Sequence, residues 1–217
     1  MAIDEFHQYL LNMPPDLTEL YISQRLKDSY KPGVIASTDG YAEMFIGEKL
    51  NCAAVLAPLA RWKGEWHLVF THRTDTVEHH KGQVSFPGGG CDPLETTPEQ
   101  TALREAEEEI GLKTGDVRLL GRLNEYLTIT RFRVTPVVGV MPWPYEVKLE
   151  KAEVDRVFTI PLNWLAQPGN WDERPLTPDG QQRSFQVISY HPYDGEVLWG
   201  ASARITHNFL AVLGLKE

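Results

Sequence analysis

The stretch TPEQTALREAEEEIGL, residues 97–112, decides the fold. Thr97 is a good N-cap, Pro98 suits the first helical turn, and Gln100 stands where the partner of a capping box belongs. Gly111 is placed to end the helix in a left-handed conformation. These signals predict a helix over Pro98–Ile110, with Leu103, Ala106 and Ile110 turned toward a core. Glu105, Glu108 and Glu109 then share one face, because residues three and four apart are neighbours on a helix. Glu107 points elsewhere, to solvent.

Crowding three carboxylates in this way is unfavourable. Like charges at this spacing destabilise a helix by roughly 0.2–0.5 kcal/mol per pair, and anions in its C-terminal half oppose the helix dipole. An exposed acidic face is the bland account of a glutamate run. A divalent cation gives the run a use, since Mg²⁺ takes oxygen ligands and bridges carboxylates to substrate phosphates. The preceding segment favours that use. Phe86-Pro87-Gly88-Gly89-Gly90 leads out of a predicted strand, and glycines let the backbone approach a phosphate or a metal closely.

Working outward, apolar runs at Ala53–Leu59, His67–Thr71 and Gln83–Phe86 read as strands before the helix, and Val117–Leu123, Phe132–Met141 and Val157–Pro161 as strands after it. Residues 167–182 read as a loop. Phe185–Tyr190 and Glu196–Trp199 read as a hairpin around Tyr193-Asp194-Gly195, and Ala201–Leu215 as a terminal helix. Residues 1–45 form a helical extension, with one apolar face on Phe6, Tyr9, Leu10 and Met13. A second helix starts at Asp16 or Thr18 and runs through Ile22 and Leu26. Residues 46–217 form the main domain, an α/β fold with a mixed sheet.

The whole chain has 217 residues, 42% of them apolar and 24% charged, which suits one soluble globular domain with an extension. No apolar run is long enough to span a bilayer and no secretory pattern opens the chain, so a soluble, cytoplasmic protein is expected. The net charge of −9 argues against a broad nucleic-acid surface. It allows a phosphorylated small molecule, because bound cations invert the local charge of an acidic site. Cys52 and Cys91, the only cysteines, are expected as reduced thiols.

Gly88–Leu112, with Arg104-Glu105-Ala106-x-Glu108-Glu109-x-Gly111-Leu112, resembles the signature box of the Nudix hydrolases. The resemblance implies a Nudix-type α/β/α sandwich and metal-dependent diphosphate hydrolysis. It makes Glu105, Glu108 and Glu109 metal ligands, with the Gly89 carbonyl as an extra one and Mg²⁺ or Mn²⁺ as the ion. Glu105 is alternatively the catalytic base, Arg104 orients the carboxylates, and Glu153 stands where many members carry a catalytic-loop carboxylate. The chain departs from the pattern at Thr96, where the family has a glutamate; Glu95 and Asp92 are the candidates for that role.

The resemblance extends to the coenzyme A pyrophosphatase subgroup through Val69–Arg73, His80-x-Gly82-Gln83-Val84-x-Phe86-Pro87-Gly88-Gly89, Val134–Gly139, Glu153–Leu162 and Leu198–Ala203. It implies a small-molecule nucleoside diphosphate substrate, coenzyme A or a derivative, held by Arg73, His80, Gly88 and Gly89. It also implies a homodimer; the charge and the lack of a spanning apolar run lead us to expect no nucleic-acid or membrane partner. Glu78 stands where the subgroup carries an arginine, a reversal of charge that phosphate recognition does not tolerate as a simple exchange. Other Nudix substrates (a dinucleotide, a nucleotide sugar, a nucleoside triphosphate) therefore remain open, as does a ligand-sensing module without turnover. Arg131 and Arg133 read either as phosphate contacts or as a polar strand edge.

Overall fold

The computed structural model describes residues 17–36, 45, 47–74, 82–177 and 184–216. Ten strands and four α-helices lie within them: α1 Glu19–Ser29, β1 Asn51–Trp62, β2 Glu65–Arg73, β3 Val84–Ser85, β4 Gly88–Gly90, α2 Pro98–Ile110, β5 Arg118–Arg122, β6 Tyr126–Leu127, β7 Phe132–Val140, β8 Val154–Pro161, α3 Leu162–Ala166, β9 Trp171–Leu176, β10 Phe185–Tyr190 and α4 Gly200–Val212. The first helix expected in the extension, at Glu5–Leu11, falls outside the described residues.

The main sheet is mixed, with β1 and β7 parallel from Asn51↔Phe132 to Leu59↔Val140 and its other pairs antiparallel. Its apolar runs are readable because β1 is buried on both faces. Ala53, Ala57 and Leu59 enter one core cluster, while Ala54, Leu56 and Ala60 enter the other. The helix α2 covers the second face through Ala102, Ala106 and Ile110. The opposite face is covered by α1 through Ile22 and Leu26, by α3 through Leu162 and Leu165, and by α4 through Phe209 and Leu210. The result is an α/β/α sandwich.

Helix α1 is tied to the sandwich at both ends. Thr18 caps it by accepting from the Tyr21 amide, Trp66 Nε1 donates to the Leu17 carbonyl, and Arg25 Nε donates to the Val212 carbonyl.

The sheet forks where the site lies. Strand β1 holds β7 along one edge, so its other edge must serve both β2 (Leu59↔Leu68) and β4 (Val55↔Gly88). Strand β2 likewise holds β8 along one edge and shares the other between β1 and β3. The short strands β3 and β4 therefore fill the gap where β1 and β2 diverge.

Two expectations are corrected here. Residues 171–176 are not loop: they form β9, the partner of β10 from Leu176↔Phe185 to Trp171↔Tyr190. Glu196–Trp199 forms no strand among the described residues: it meets β10 through the isolated bridge Ser189↔Trp199, while Tyr193↔Glu196 closes the turn at Asp194-Gly195. Cys52 and Cys91 are not free thiols but a disulfide, with Cα atoms 5.4 Å apart. The cause is β4, which runs antiparallel to β1 with Ala53 opposite Gly90 and so sets the two cysteines side by side.

Candidate active site

Helix α2 has the predicted ends. The Thr97 side chain accepts from the Gln100 amide, the Gln100 side chain accepts from the Thr97 amide, and Gly111 caps the helix in the left-handed region at φ 69°. The helix therefore presents its glutamates from a fixed rod. Glu107 is exposed and Glu109 is buried, at 3% relative exposure.

Arg104 draws the first group of carboxylates together. It lies 2.7 Å from Glu95, 2.8 Å from Glu105 and 2.9 Å from Glu108, and its Nη2 donates to the Gly90 carbonyl at 3.0 Å. Of the two candidates raised by the departure at Thr96, Glu95 is the one that reaches Arg104. The Glu95 carboxylate accepts from Arg104, from the Thr101 hydroxyl at 2.6 Å and from the Asp92 amide at 2.8 Å. The Arg104 guanidinium, with those two donors, holds its carboxyl down to about 2. Asp92 instead closes the turn by accepting from the Leu94 amide.

Arg73 holds a second group, with its Nη1 3.2 Å from Glu109 and its Nη2 3.4 Å from Glu153. Burial pushes Glu109 up to about 7, against the opposing pull of Arg73; Glu105 and Glu153 add to the rise, and a hydrogen bond from the Gly88 amide opposes it. Burial also raises Glu105, against the pull of Arg104. Gly89 lies against Glu105: a Cβ there would sit 2.6 Å from both carboxylate oxygens. Any side chain at this position would displace the Glu105 carboxylate.

The donor set suits a hard cation. Glu109 Oε2 is buried with no hydrogen-bond partner among the described residues, which is unfavourable for a carboxylate oxygen unless a cation reaches it. As placed, no three Asp, Glu, His or Cys side chains among the described residues converge on one point.

Beside Arg73 and Gly88 opens a cavity of about 390 Å³, walled by Phe86, Tyr126, Phe185 and Ile205. Ile129, Leu176 and Trp199 stand exposed among its lining residues. The sequence carries no signal for Tyr126 or Ile129 and marks Trp199 as a core or surface-packing group, although Trp199 lies in one of the segments resembling the coenzyme A subgroup. Arg131 and Arg133 pair with Glu48 and Glu125 and do not line this cavity, consistent with a polar strand edge. His80 and Glu78 lie outside the described residues. No helix is long and apolar enough to cross a membrane among the described residues.

Comparison with known proteins identifies the family. A NUDIX domain model matches residues 50–180. The peroxisomal coenzyme A diphosphatase NUDT7 of Mus musculus is 35% identical over 140 residues, 64% of this chain and 59% of the mouse protein, so the match spans little more than half of that relative. The uncharacterized Nudix hydrolase NudL of Photorhabdus laumondii is 35% identical over 155 residues, 71% of this chain and 81% of that one. Among solved structures, the Nudix hydrolase RenU of M. smegmatis aligns with a TM-score of 0.45 at 23% identity, covering 55% of this chain and 78% of that one. With its domain match, its glutamate helix and its α/β/α sandwich, the chain belongs to the Nudix hydrolase family.

Proposed function

We propose that the protein is a Mg²⁺- or Mn²⁺-dependent pyrophosphohydrolase whose preferred substrate is coenzyme A or a derivative of it. One observation carries the reading: five carboxylates, Glu95, Glu105, Glu108, Glu109 and Glu153, are gathered by two arginines, one of which, Arg73, lines an apolar cavity. Glu105, Glu108 and Glu109 would hold the ions, with the Gly89 carbonyl as a further ligand. Bound ions would neutralise charge on the diphosphate oxygens and lower the pKa of a water.

The chain's own residues do the rest. Arg104, locked by Glu95, fixes the directions of Glu105 and Glu108 so that little rearrangement is needed at the moment of reaction. Glu153, half-exposed and beside Glu109, is the candidate acceptor for the proton that the attacking water loses. The water oxygen bonds to one phosphorus, the bridging P–O bond breaks, and the leaving phosphate keeps the electron pair. With coenzyme A the products are an adenosine bisphosphate and a phosphopantetheine. The cavity gives the less polar arm of such a substrate a dry place to bind, which the phosphates alone do not need. The name of the mouse relative supports this choice.

We further propose that residues 1–45 are an extension serving the catalytic domain. In this reading the enzyme is a soluble, cytoplasmic homodimer acting on small molecules, with no nucleic-acid or membrane partner. The test is a panel of coenzyme A, an acyl-coenzyme A, NADH, ADP-ribose and dinucleoside polyphosphates with Mg²⁺ or Mn²⁺, compared by kcat/KM. Coenzyme A or its acyl derivative should lead, and Glu108→Gln should lower turnover by about 100-fold or more, as loss of a metal contact does. No turnover across the panel, or full activity in that variant, would sink the reading.

A further inference from the structure

The two arginines of the site are not held alike. Arg104 makes four contacts of 2.7 to 3.0 Å to Glu95, Glu105, Glu108 and the Gly90 carbonyl. Among the described residues, the Arg73 guanidinium makes two contacts, to Glu109 and Glu153, at 3.2 and 3.4 Å. Strong guanidinium–carboxylate bonds run at roughly 2.7–2.9 Å, so the Arg73 pairs are loose. Its Nε is buried without a hydrogen-bond partner among the described residues.

Position adds to this. The pairing of β2 with β8 slips between His72 and Arg73, so Arg73 lies opposite Val154 instead of Asp155. Its side chain borders the cavity next to Gly88 while still touching the carboxylates. It therefore faces the candidate metal ligands and the substrate space at once.

We propose that Arg73 is an exchangeable counter-ion, which neutralises Glu109 and Glu153 until a divalent cation takes them and then serves the diphosphate at the cavity mouth. The inference rests on the metal-dependent reading above. A cation reaching the unbonded Glu109 Oε2 shares that carboxylate with Arg73 and repels its guanidinium. A phosphate offers the guanidinium what the two loose carboxylates do not, a multiply charged acceptor that matches its planar fork. The consequence has an unusual sign. Loss of Arg73 should tighten cation binding in the absence of substrate while weakening the substrate. A residue that merely props Glu109 in place would weaken both.

The experiment measures Mn²⁺ binding to the full chain without substrate, by calorimetric titration near pH 8 so that proton competition is small. Wild type and Arg73→Met are compared, together with KM and kcat for the best substrate of the panel at saturating Mn²⁺. In Arg73→Met the Mn²⁺ Kd should fall about 3- to 5-fold, the weight of one partly exposed ion pair. The KM should rise about 10-fold or more, with the loss of a charge-assisted contact to phosphate. Arg73→Lys should bind Mn²⁺ as wild type does yet still raise KM, because it keeps the charge and loses the fork. Weaker Mn²⁺ binding in Arg73→Met with a wild-type melting curve would overturn the proposal, as would an unchanged KM. If Arg73→Met does not fold, a wild-type KM in Arg73→Lys overturns it. Glu108→Gln reports on the metal-dependent reading alone, so that reading stands if Glu108→Gln is inactive and the Arg73 variants contradict this one.

Discussion

Replacing Glu109 with glutamine should make the protein more stable and a poorer enzyme. The ordinary carboxyl value of 4.5 applies to Glu109 in the unfolded chain, while burial pushes it up to about 7 in the fold. Below pH 4.5 both states hold the proton, and the group carries no penalty. Between there and about 7 the unfolded chain releases the proton that the fold still holds, so stability is lost as pH rises, and above about 7 the full penalty is present. At roughly 1.4 kcal/mol per pH unit, the gap between 4.5 and about 7 amounts to roughly 3 kcal/mol. Solvent screening does not reduce it much, because Glu109 is only 3% exposed.

Glutamine keeps the shape and still offers the Gly88 amide an acceptor, but it carries no charge to bury. Glu109→Gln should therefore match wild type near pH 4.5 and exceed it by about 1–3 kcal/mol at pH 8. For a chain of this length each kcal/mol raises Tm by roughly 2–4 °C. The assay is thermal or urea denaturation of both proteins in chelator, across that pH range, read as the difference between them so that other titrating groups cancel. Adding Mn²⁺ should then stabilise wild type by mass action and the variant much less. A difference that stays flat with pH, or a variant less stable at pH 8, would refute the assignment of the cost to Glu109.

Two further outcomes follow from the same geometry. In Gly89→Ala the new methyl sits 2.6 Å from the Glu105 carboxylate, whose flexible side chain must move aside. We expect kcat/KM to fall roughly 10- to 100-fold with Tm little changed, and unaltered kinetics would show that the Glu105 position is unimportant. Reducing the Cys52–Cys91 bridge, or replacing both cysteines with serine, frees a 39-residue loop and should lower stability by about 4 kcal/mol in urea denaturation. Equal stability of reduced and oxidised protein would remove the bridge from the folding energetics.

What the sequence made legible was local. The ends of α2 follow from Thr97, Pro98, Gln100 and Gly111, which act on backbone groups within one turn. The strands β1 and β7 show as apolar runs because each is buried on both faces. Strand β9 escaped because Asp172–Leu176 is exposed throughout, so no alternation marks it. Strand β4 escaped because three glycines carry no side-chain pattern, and the Cys52–Cys91 bridge escaped with it.

The candidate site divides along the same line. Glu105, Glu108 and Glu109 are related by helical spacing, so their shared face could be read before any fold was known. Their neutralisation could not. Glu95 reaches Arg104 across nine residues of loop and helix, and Arg73 reaches Glu109 across 36 residues and Glu153 across 80. The Arg73 pairing with Glu153 depends on how β2 meets β8, which is a property of the sheet. The cavity is assembled more widely still, from β2, β3, β6, β10 and α4. Under the function proposed above, reaction class would rest on one short segment, and substrate choice on surfaces contributed by most of the chain. The glutamate helix could then stay the same while the cavity wall, with Tyr126, Phe185 and Trp199 among its residues, set which diphosphate the carboxylates meet.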